Sequence, residues 1–565
     1  MKQLSGIDNL FLQLERGNNH MHVAGLGIYD PSTAPGGSVR FKDILRFFSR
    51  RIEHAPLFRR RLVQVPFALD RPYWIEDAGI DVEFHVRHIA LPQPGDWRQL
   101  CIQVARIHSR PLDRSKPLWE AYVIEGLHNV PGVPPGSFAL YVKLHHALID
   151  GESGTQLTQA IHALSADDVE EEGLDTGTTG RAEAEPSSVE LYSRALVNSV
   201  HNVPALARFS LGTAARLAQL GAGYVAKLRT EAALDVPALS ALKSGDLTSM
   251  LPKMPPETRF SGPVSAHRVF EAVGVPFDEM KAIRRQIGDV TINDLFMAIV
   301  GGALNRYLGG KGELPGQSIL AMVPMTLRGE DKSEEGNRVG FTLMPVHSEL
   351  GDPVARLLAI HDDSNRAKQV TGAVGKDLAP ELLQVLPSLV SQTLLRSVKL
   401  PRISLIVSNV RGPETPLYMA GARLVHYSPI SIPVDGVGLN VTGFSYAGTM
   451  WICAVSCRDM LPDPAHFADC LRESFRELGE AAIRHAGHRA EELAHAHEET
   501  AEPMHLDRLI DATSGDGEGA PDVADRPAAR TRKRKAPSRS KAAAATSPAK
   551  TAAKPRARSR RRKTA

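Results

Sequence analysis

Residues 145–151 read HHxxxDG: two adjacent histidines, three further residues, an aspartate and a glycine. The segment directly follows a stretch from Phe138 to Leu144 in which every second residue is apolar, a period typical of a β-strand. Apolar residues at helical spacing follow between Leu157 and Leu164. The two histidines are therefore expected where a strand ends in a tight glycine turn.

An imidazole at such a turn can be directed into a cleft, where it can take a proton from a hydroxyl or a thiol at neutral pH. The same residues also have a plainer interpretation, in which ordinary histidines end a strand and Asp-Gly makes a turn. The segment taken alone leaves both interpretations open.

The distribution of charge divides the chain. The net charge is +3, and residues 526–565 contain sixteen Lys or Arg and no Asp or Glu, so residues 1–525 carry −13. A tail of this kind can bind polyanions, either nucleic acid or the anionic head groups of a membrane or lipid droplet. Because it lacks aromatic residues for base stacking, we do not expect sequence-specific binding of nucleic acid. A solvated tail that only aids solubility explains the same composition.

Composition along the chain predicts four segments, and 565 residues with 42% hydrophobic content suffice for two domains and a tail. Residues 1–164 and 258–497 each have the pattern of a mixed α/β lobe. Residues 165–257 begin as an acidic stretch, expected to be a disordered crossover, and continue as amphipathic helices that either pack on the body or lie on anionic lipid. Residues 498–565 are expected to be a disordered tail.

Targeting signals are not evident. The first residues have no apolar run typical of a secretory leader, and the most apolar stretch, residues 295–304, is far shorter than the roughly 20 residues of a membrane span. Four cysteines fit a reduced compartment, and their spacing does not suggest a zinc site. We therefore expect a metal-free cytoplasmic protein, in peripheral contact at most with a membrane or lipid droplet.

Several further segments carry a family resemblance. The HHxxxDG motif is shared by CoA-dependent acyltransferases of the chloramphenicol-acetyltransferase type and by condensation domains of peptide synthetases. With its other segments the chain resembles the bacterial bifunctional wax ester synthase/diacylglycerol acyltransferase family, in the right order from about residue 1 to about residue 490. These segments are residues 4–8, 11–12 and 21–23, PLFRRRL at 56–62, RPYW at 71–74, the PLW segment Pro117, Leu118 and Trp119, the ND motif Asn293 and Asp294, SNVRGP at 408–413, and residues 439–446.

The resemblance implies a two-lobed α/β fold of the CoA-dependent acyltransferase type. It also implies transfer of a fatty acyl group from acyl-CoA to diacylglycerol, giving triacylglycerol, or to a long-chain fatty alcohol, giving wax ester. Acyl-CoA is then a substrate, and no cofactor is needed. The resemblance does not indicate the preferred acyl length, the better acceptor or the oligomeric state.

The matching positions suggest roles within the motif. His146 corresponds to the general base, and His145, which points to the other face of the strand, to a structural residue whose hydrogen bond holds the strand end. Asp150 is implied to hold the loop through a salt bridge to an arginine that the sequence does not identify. Gly151 gives the turn its backbone freedom.

Outside the motif, the assignments are supporting ones. Asn293 and Asp294 follow Thr291 at the start of a helical pattern, so they either cap that helix or support the active site. Ser408 and Asn409 follow a predicted strand, residues 403–407, and suit a loop close to a ligand or an ordinary turn. With Asn293, they are the candidate donors to a developing oxyanion.

Two rival functions remain. One is another HHxxxDG acyltransferase or a condensation-type enzyme that uses carrier-bound acyl groups, although no adjoining carrier segment is evident. The other is a non-catalytic lipid-granule or nucleic-acid-binding protein that works through its basic tail. The second rival has no use for His146 and Asp150 in the HHxxxDG frame.

Overall fold

A computed structural model of the 565-residue chain describes residues 1–77, 79–148, 161–167, 184–201, 255–326, 339–374 and 403–500. Two six-stranded sheets form its framework, with a small three-stranded sheet beside them. The strands are β1 (Lys2–Gln3), β2 (His22–Asp30), β3 (Arg60–Val63), β4 (Tyr73–Glu76), β5 (Val86–Ala90), β6 (Trp119–Glu125), β7 (Phe138–His145), β8 (Arg268–Pro276), β9 (Leu320–Thr326), β10 (Val339–Pro345), β11 (Leu405–Arg411), β12 (Tyr418–Met419), β13 (Ala422–Ile430), β14 (Leu439–Tyr446) and β15 (Thr449–Cys457).

Helices pack against all three sheets. They are α1 (Gly6–Leu14), α2 (Phe41–His54), α3 (Val82–His85), α4 (Trp97–His108), α5 (188–201), α6 (Phe277–Ile287), α7 (Ile292–Gly309), α8 (Pro353–Val374) and α9 (Pro464–Thr500). No single helix of the described residues is long and apolar enough to cross a membrane, while α6 and α7 pass that test only as a pair bent by 101°.

The first large sheet, here called the N sheet, has the order β12-β13-β2-β7-β6-β5. Its strands are antiparallel to their neighbours except β5 and β6, which are parallel. The alternation that predicted β7 is present, but every residue of that strand is buried because both faces of the sheet are covered. The N sheet therefore holds the predicted histidine strand at its centre.

The second large sheet, the C sheet, has the order β10-β9-β11-β14-β15-β8. Its central strand β11 runs parallel to both neighbours, β9 and β14. One face packs on α6, α7, α8 and α9 through apolar residues such as Leu405, Val407 and Val441. Phe444 and Tyr446, on the opposite face, share a core with Leu140 and Val142 of the N sheet. We call this opposite surface the inner face of the C sheet.

The two sheets do not divide the chain into consecutive halves. Strand β13, from the region that the sequence assigns to the second lobe, pairs with β2 from Arg423–Asp30 to Ile430–Ala24. The N sheet is thus completed by a strand from nearly 400 residues further along the chain. The lobe boundaries at residues 164 and 258 stay a prediction, and this strand exchange joins the two lobes.

The predicted crossover, residues 165–257, lies mostly outside the described residues. Within it, α5 buries Leu191 and Ala195 against Tyr73 and Ile75 of the small sheet. This helix therefore packs on the body along one side. That is the first of the two interpretations of the amphipathic pattern, packing on the body or lying on anionic lipid. The predicted tail, residues 498–565, lies outside the described residues apart from the last turn of α9.

Candidate active site

His146 lies where the histidine strand β7 ends. Strand β7 stops at His145, and His146 begins a single turn of 3₁₀ helix, His146–Leu148. The His146 N–H donates to the carbonyl of Met21, at 2.7 Å, so the chain preceding β2 holds the turn. The partly buried imidazole stacks on Phe11 of α1, with ring centroids 4.0 Å apart and an interplanar angle of 23°.

The surroundings of His146 set its protonation state. Ile7, Phe11, Met21 and Ile432 form an apolar cluster at the turn. Burial lowers the pKa of His146 to about 4, its interaction with its own backbone opposes the shift, and the nearby His145 adds to it. Its Nδ1 atom is buried without a hydrogen-bond partner among the described residues. The imidazole is therefore neutral at physiological pH and able to accept a proton.

His145 is almost fully buried, with both ring nitrogens occupied. Its Nδ1 accepts a hydrogen bond from the N–H of Ala147, at 3.1 Å, and its Nε2 donates to Oε2 of Glu15, at 2.8 Å. Its backbone N–H donates to the carbonyl of Leu118, at 3.0 Å. These contacts are of the kind expected for a residue that holds the strand end, and its role in the enzyme stays a prediction.

Glu15 was not among the residues singled out from the sequence. It directly follows α1, and its carboxylate also accepts from Arg114 at 3.0 Å and lies 3.8 Å from His20. Burial raises the pKa of Glu15, but hydrogen bonds from His145 and His20 and the charge of Arg114 outweigh it and hold the pKa far below its usual range. Glu15 lies just beyond the helix, in extended backbone, so no short-range pattern of the sequence indicated it.

Asp150 and Gly151 lie outside the described residues, so their predicted roles, and the arginine expected to pair with Asp150, stay predictions. Residues 149–160, where a helix was expected to begin, also lie outside them. Residues 161–164 are described and are not helical; Ala163 instead forms a bridge with Tyr418.

The PLW segment lies beside the histidine strand, at the start of the neighbouring strand β6. Leu118 and Trp119 are completely buried, Pro117 is buried beside them, and Trp119 begins β6. The Trp119 indole donates to the carbonyl of Phe58 at 2.8 Å. Since the Leu118 carbonyl accepts the His145 N–H, the segment supports the strand end from the neighbouring strand.

The ND motif begins helix α7. Thr291 accepts a hydrogen bond from the Asp294 N–H, at 3.1 Å, and Asp294 accepts one from the Thr291 N–H, at 2.9 Å. The expected capping box is therefore present. Asn293 lies in the first turn, partly buried, and no hydrogen bond among the described residues joins it or Asp294 to the His146 turn.

Asp294 makes a second contact, with another helix, that the sequence did not indicate. Its Oδ2 lies 2.9 Å from Nδ1 of His361 on α8, and Asn365 contacts the other ring nitrogen at 2.9 Å. Burial raises the pKa of this carboxyl group, but hydrogen bonds from His361 and Thr291 lower it below its usual value. The motif thus joins α7 to α8 in the helical layer.

Ser408 and Asn409 lie inside β11 and not in a loop. The predicted strand, residues 403–407, is observed as Leu405–Arg411, because β14 pairs with it along its whole length. Successive residues of a strand point to opposite faces. Asn409 lies beside Gly443 and Phe296 on the helix-covered face, whereas Ser408 pairs with Thr442 on the inner face. The expectation that these two residues lie in a loop was therefore wrong, and their role near a ligand stays a prediction.

Asn440 connects the inner face of the C sheet to the apolar cluster at His146. It is 2% exposed, its Nδ2 donates to the carbonyl of Ile432 at 3.1 Å, and its Oδ1 accepts from Thr442 at 2.8 Å. Ile432 belongs to the same cluster as Phe11. In the sequence, Asn440 belongs to one of the segments that resemble the family, and it was not predicted as a site residue.

A groove of about 630 Å³ opens elsewhere, between α2 and β5, and none of the site residues described above lines it. Among the described residues no three His, Cys, Asp or Glu side chains are grouped as a metal site. The described residues at the end of β7 present a neutral imidazole, that of His146, in an apolar wall, next to the buried His145–Glu15 pair.

Solved structures with a similar fold were found for this chain. The chain is similar to a wax ester synthase/diacylglycerol acyltransferase from Marinobacter aquaeolei, with a TM-score of 0.56 and 26% identity over 85% of this chain and 100% of that one. The first condensation domain of the calcium-dependent antibiotic synthetase shares the fold, with a TM-score of 0.50 and 14% identity over 86% and 97% of the two chains. The fold and the site thus define a two-lobed acyltransferase of the CoA-dependent type, and the predicted fold class is confirmed.

Family models identify the particular branch. The wax ester synthase/diacylglycerol acyltransferase catalytic domain matches residues 4–296, and the WS/DGAT C-terminal domain matches residues 335–479. A putative diacylglycerol O-acyltransferase of Mycobacterium tuberculosis is 35% identical over 85% of this chain and 99% of its own length. A second, of Mycobacterium bovis, is 31% identical over 84% and 98%. The chain belongs to the wax ester synthase/diacylglycerol acyltransferase family and is an acyltransferase.

Proposed function

We propose that this enzyme transfers a fatty acyl group from acyl-CoA to diacylglycerol, to a long-chain fatty alcohol, or to both, with His146 as the general base. The observation that carries the proposal is a neutral, partly buried imidazole at the end of β7 in an apolar wall. The named activities of the relatives and of the Marinobacter structure support the choice of substrates.

The proposed step needs one proton acceptor. His146 removes the hydroxyl proton as the alcohol oxygen attacks the thioester carbon, and a C–O bond forms. The C–S bond then breaks, and the imidazolium returns the proton to the departing sulfur, giving free CoA and the ester. A general base of this kind contributes about 10²- to 10⁴-fold in rate. The reaction balances without an acyl-enzyme or a cofactor, because acyl-CoA is itself the acyl donor.

The developing oxyanion needs hydrogen-bond donors. Of the three candidates from the sequence, Ser408 lies on the inner face of the C sheet beside Thr442, whereas Asn409 faces the helical layer and Asn293 lies in the first turn of α7. We therefore favour Ser408 over the two asparagines. The apolar side chains around His146 serve to keep water from competing with the alcohol.

The test is an acceptor panel on the wild type and His146→Ala. With palmitoyl-CoA as donor, and hexadecanol or dioleoylglycerol as acceptor, the variant should lose at least about 100-fold of turnover with both acceptors while keeping its melting temperature. His88→Ala is the control, because the His88 ring also stacks on a phenylalanine, Phe41, but lies on the edge strand β5. Wild-type turnover in His146→Ala contradicts the assignment of the base.

We also propose that residues 526–565 attach the enzyme peripherally to an anionic membrane or lipid-droplet surface. The support is their charge of +16 beside a body of −13, which favours anionic head groups at about 1 kcal/mol for each basic residue near the surface. Deleting these residues should abolish sedimentation with phosphatidylglycerol vesicles and leave turnover of dispersed substrates unchanged. Equal sedimentation of the full and shortened chains contradicts the proposal, and phosphatidylcholine vesicles are the control for charge.

A further inference from the structure

Helix α1 and the residue that directly follows it place two side chains near the site, and of these two Phe11 stacks on the His146 ring. Glu15, one turn further on, receives the Nε2 hydrogen of His145. The pair is buried, with the His145 side chain 1% and the Glu15 side chain 9% exposed. A buried carboxylate that accepts from a buried imidazole strongly restricts the orientation of the ring.

The tautomer of His145 follows from its two contacts. Because the Ala147 N–H points at Nδ1, that nitrogen must carry a lone pair, and the single ring proton must lie on Nε2. Glu15, ionised and acceptor-only, requires a hydrogen at the same Nε2. The two contacts therefore favour the same neutral tautomer of His145. With the proton on Nδ1 instead, both hydrogen bonds would be lost.

The Ala147 hydrogen bond reaches the catalytic turn directly. Ala147 follows His146 in the 3₁₀ turn. The turn is also held by the hydrogen bond that the His146 N–H donates to the Met21 carbonyl. The backbone on both sides of His146 is thus held, on one side by the chain before β2 and on the other by the His145 ring.

We propose that Glu15 is a positioning residue: through the His145 Nε2–H it holds the turn that directs the His146 imidazole at the substrate. This inference rests on the proposed function, in which His146 is the base. Arg114 completes the arrangement, since its guanidinium binds the same carboxylate oxygen at 3.0 Å and the Leu12 carbonyl at 3.1 Å, which ties Glu15 to the end of α1.

A double-mutant cycle tests the proposal. Glu15→Gln keeps the size of the side chain but removes the negative charge, so the hydrogen bond from the His145 Nε2–H is no longer charge-assisted and holds the ring less firmly. It should lower kcat by about 10- to 100-fold, because small displacements of a catalytic group have effects of that size. The KM values for palmitoyl-CoA and hexadecanol should change by less than about twofold. In the His145→Ala background, Glu15→Gln should cause no further loss, because the path through the imidazole is already broken.

Glu125→Gln is the matched control, since Glu125 also pairs with a histidine, His88 at 3.1 Å, away from the site. It should keep wild-type kcat. If Glu15→Gln lowers only the melting temperature, or if its effect on kcat multiplies with that of His145→Ala, Glu15 does not act through His145 and the proposal is overturned. Should Glu15→Gln fail to fold, Glu15→Asp gives the same readout, because it keeps the charge but draws the carboxylate back from His145.

The failure of this inference is distinct from the failure of the proposed function. A fully active His146→Ala variant contradicts the assignment of His146 as the general base, and with it the proposed function. An inactive His146→Ala with a fully active Glu15→Gln leaves the base in place and removes only the positioning role of Glu15.

Discussion

Burial gives His146 properties that its residue type alone does not. An exposed histidine is half protonated near pH 6.5, whereas the apolar cluster around His146 lowers its pKa to about 4. The same environment makes it a weaker base, so catalysis depends on the alcohol being held in line with the ring and on water being excluded.

The pH dependence of turnover follows from this pKa. Because only the neutral imidazole accepts a proton, and the protonated form appears only as the pH falls toward about 4, we expect kcat/KM to be level from about pH 5.5 to about pH 8. A stopped assay in mixed buffers measures it, with circular dichroism at each pH as the control for unfolding. A decline centred near pH 6.5 contradicts the lowered pKa.

At the scale of elements, the start of α7 combines a local rule with a distant contact. The capping box of Thr291 and Asp294 satisfies N–H groups at the helix start. The same carboxylate binds His361, on a different helix. Because one side chain serves both contacts, the ND motif is a structural joint between α7 and α8 in addition to any effect on the site.

Replacing these residues should separate the two contributions. Thr291→Ala removes the cap and should lower the free energy of unfolding by about 1 kcal/mol. Asp294→Ala also removes the partner of His361 and should cost about 2 kcal/mol or more. Urea denaturation measures both, with Asp289→Ala, an exposed position two residues before Thr291, as the control. If Asp294→Ala is as stable as the control, the contact between Asp294 and His361 does not stabilise the packing of α7 on α8.

At the scale of the whole molecule, the two sheets depend on each other. Strand β13 covers the edge of β2, and residues of β8 and β15, such as Phe270 and Cys453, complete a core with Leu26 and Tyr141 of the N sheet. The histidine strand therefore relies on chain from both halves.

A fragment of residues 1–201 tests this dependence. Without β13 it has an unpaired β2 edge and an uncovered apolar face, so we expect it to lack a cooperative unfolding transition and to bind a hydrophobic dye. Near-ultraviolet circular dichroism during thermal unfolding is the measurement, with the full chain as the control. A cooperative transition in the fragment contradicts the interdependence of the sheets.

Local features of the site were predictable where short-range rules apply. The period-two pattern before His145 predicted β7, and the Thr291–Asp294 spacing predicted the capping box. The position of Ser408 and Asn409 was predicted wrongly, because turn-forming residue types were taken as the strand end, whereas pairing with β14 extends the strand through them. Nothing local to those residues reveals the partner strand.

The sequence by itself determined the strand and the helix start, because these depend on residues no more than a few positions apart. It also determined the family, since the ordered motifs carry that information. Only the tertiary structure decided that Glu15 meets His145, 130 residues away, that Asp294 meets His361, 67 residues away, and that β13 completes the N sheet. The physical reason is that such contacts arise from the packing of whole sheets and helices, which no short-range pattern encodes.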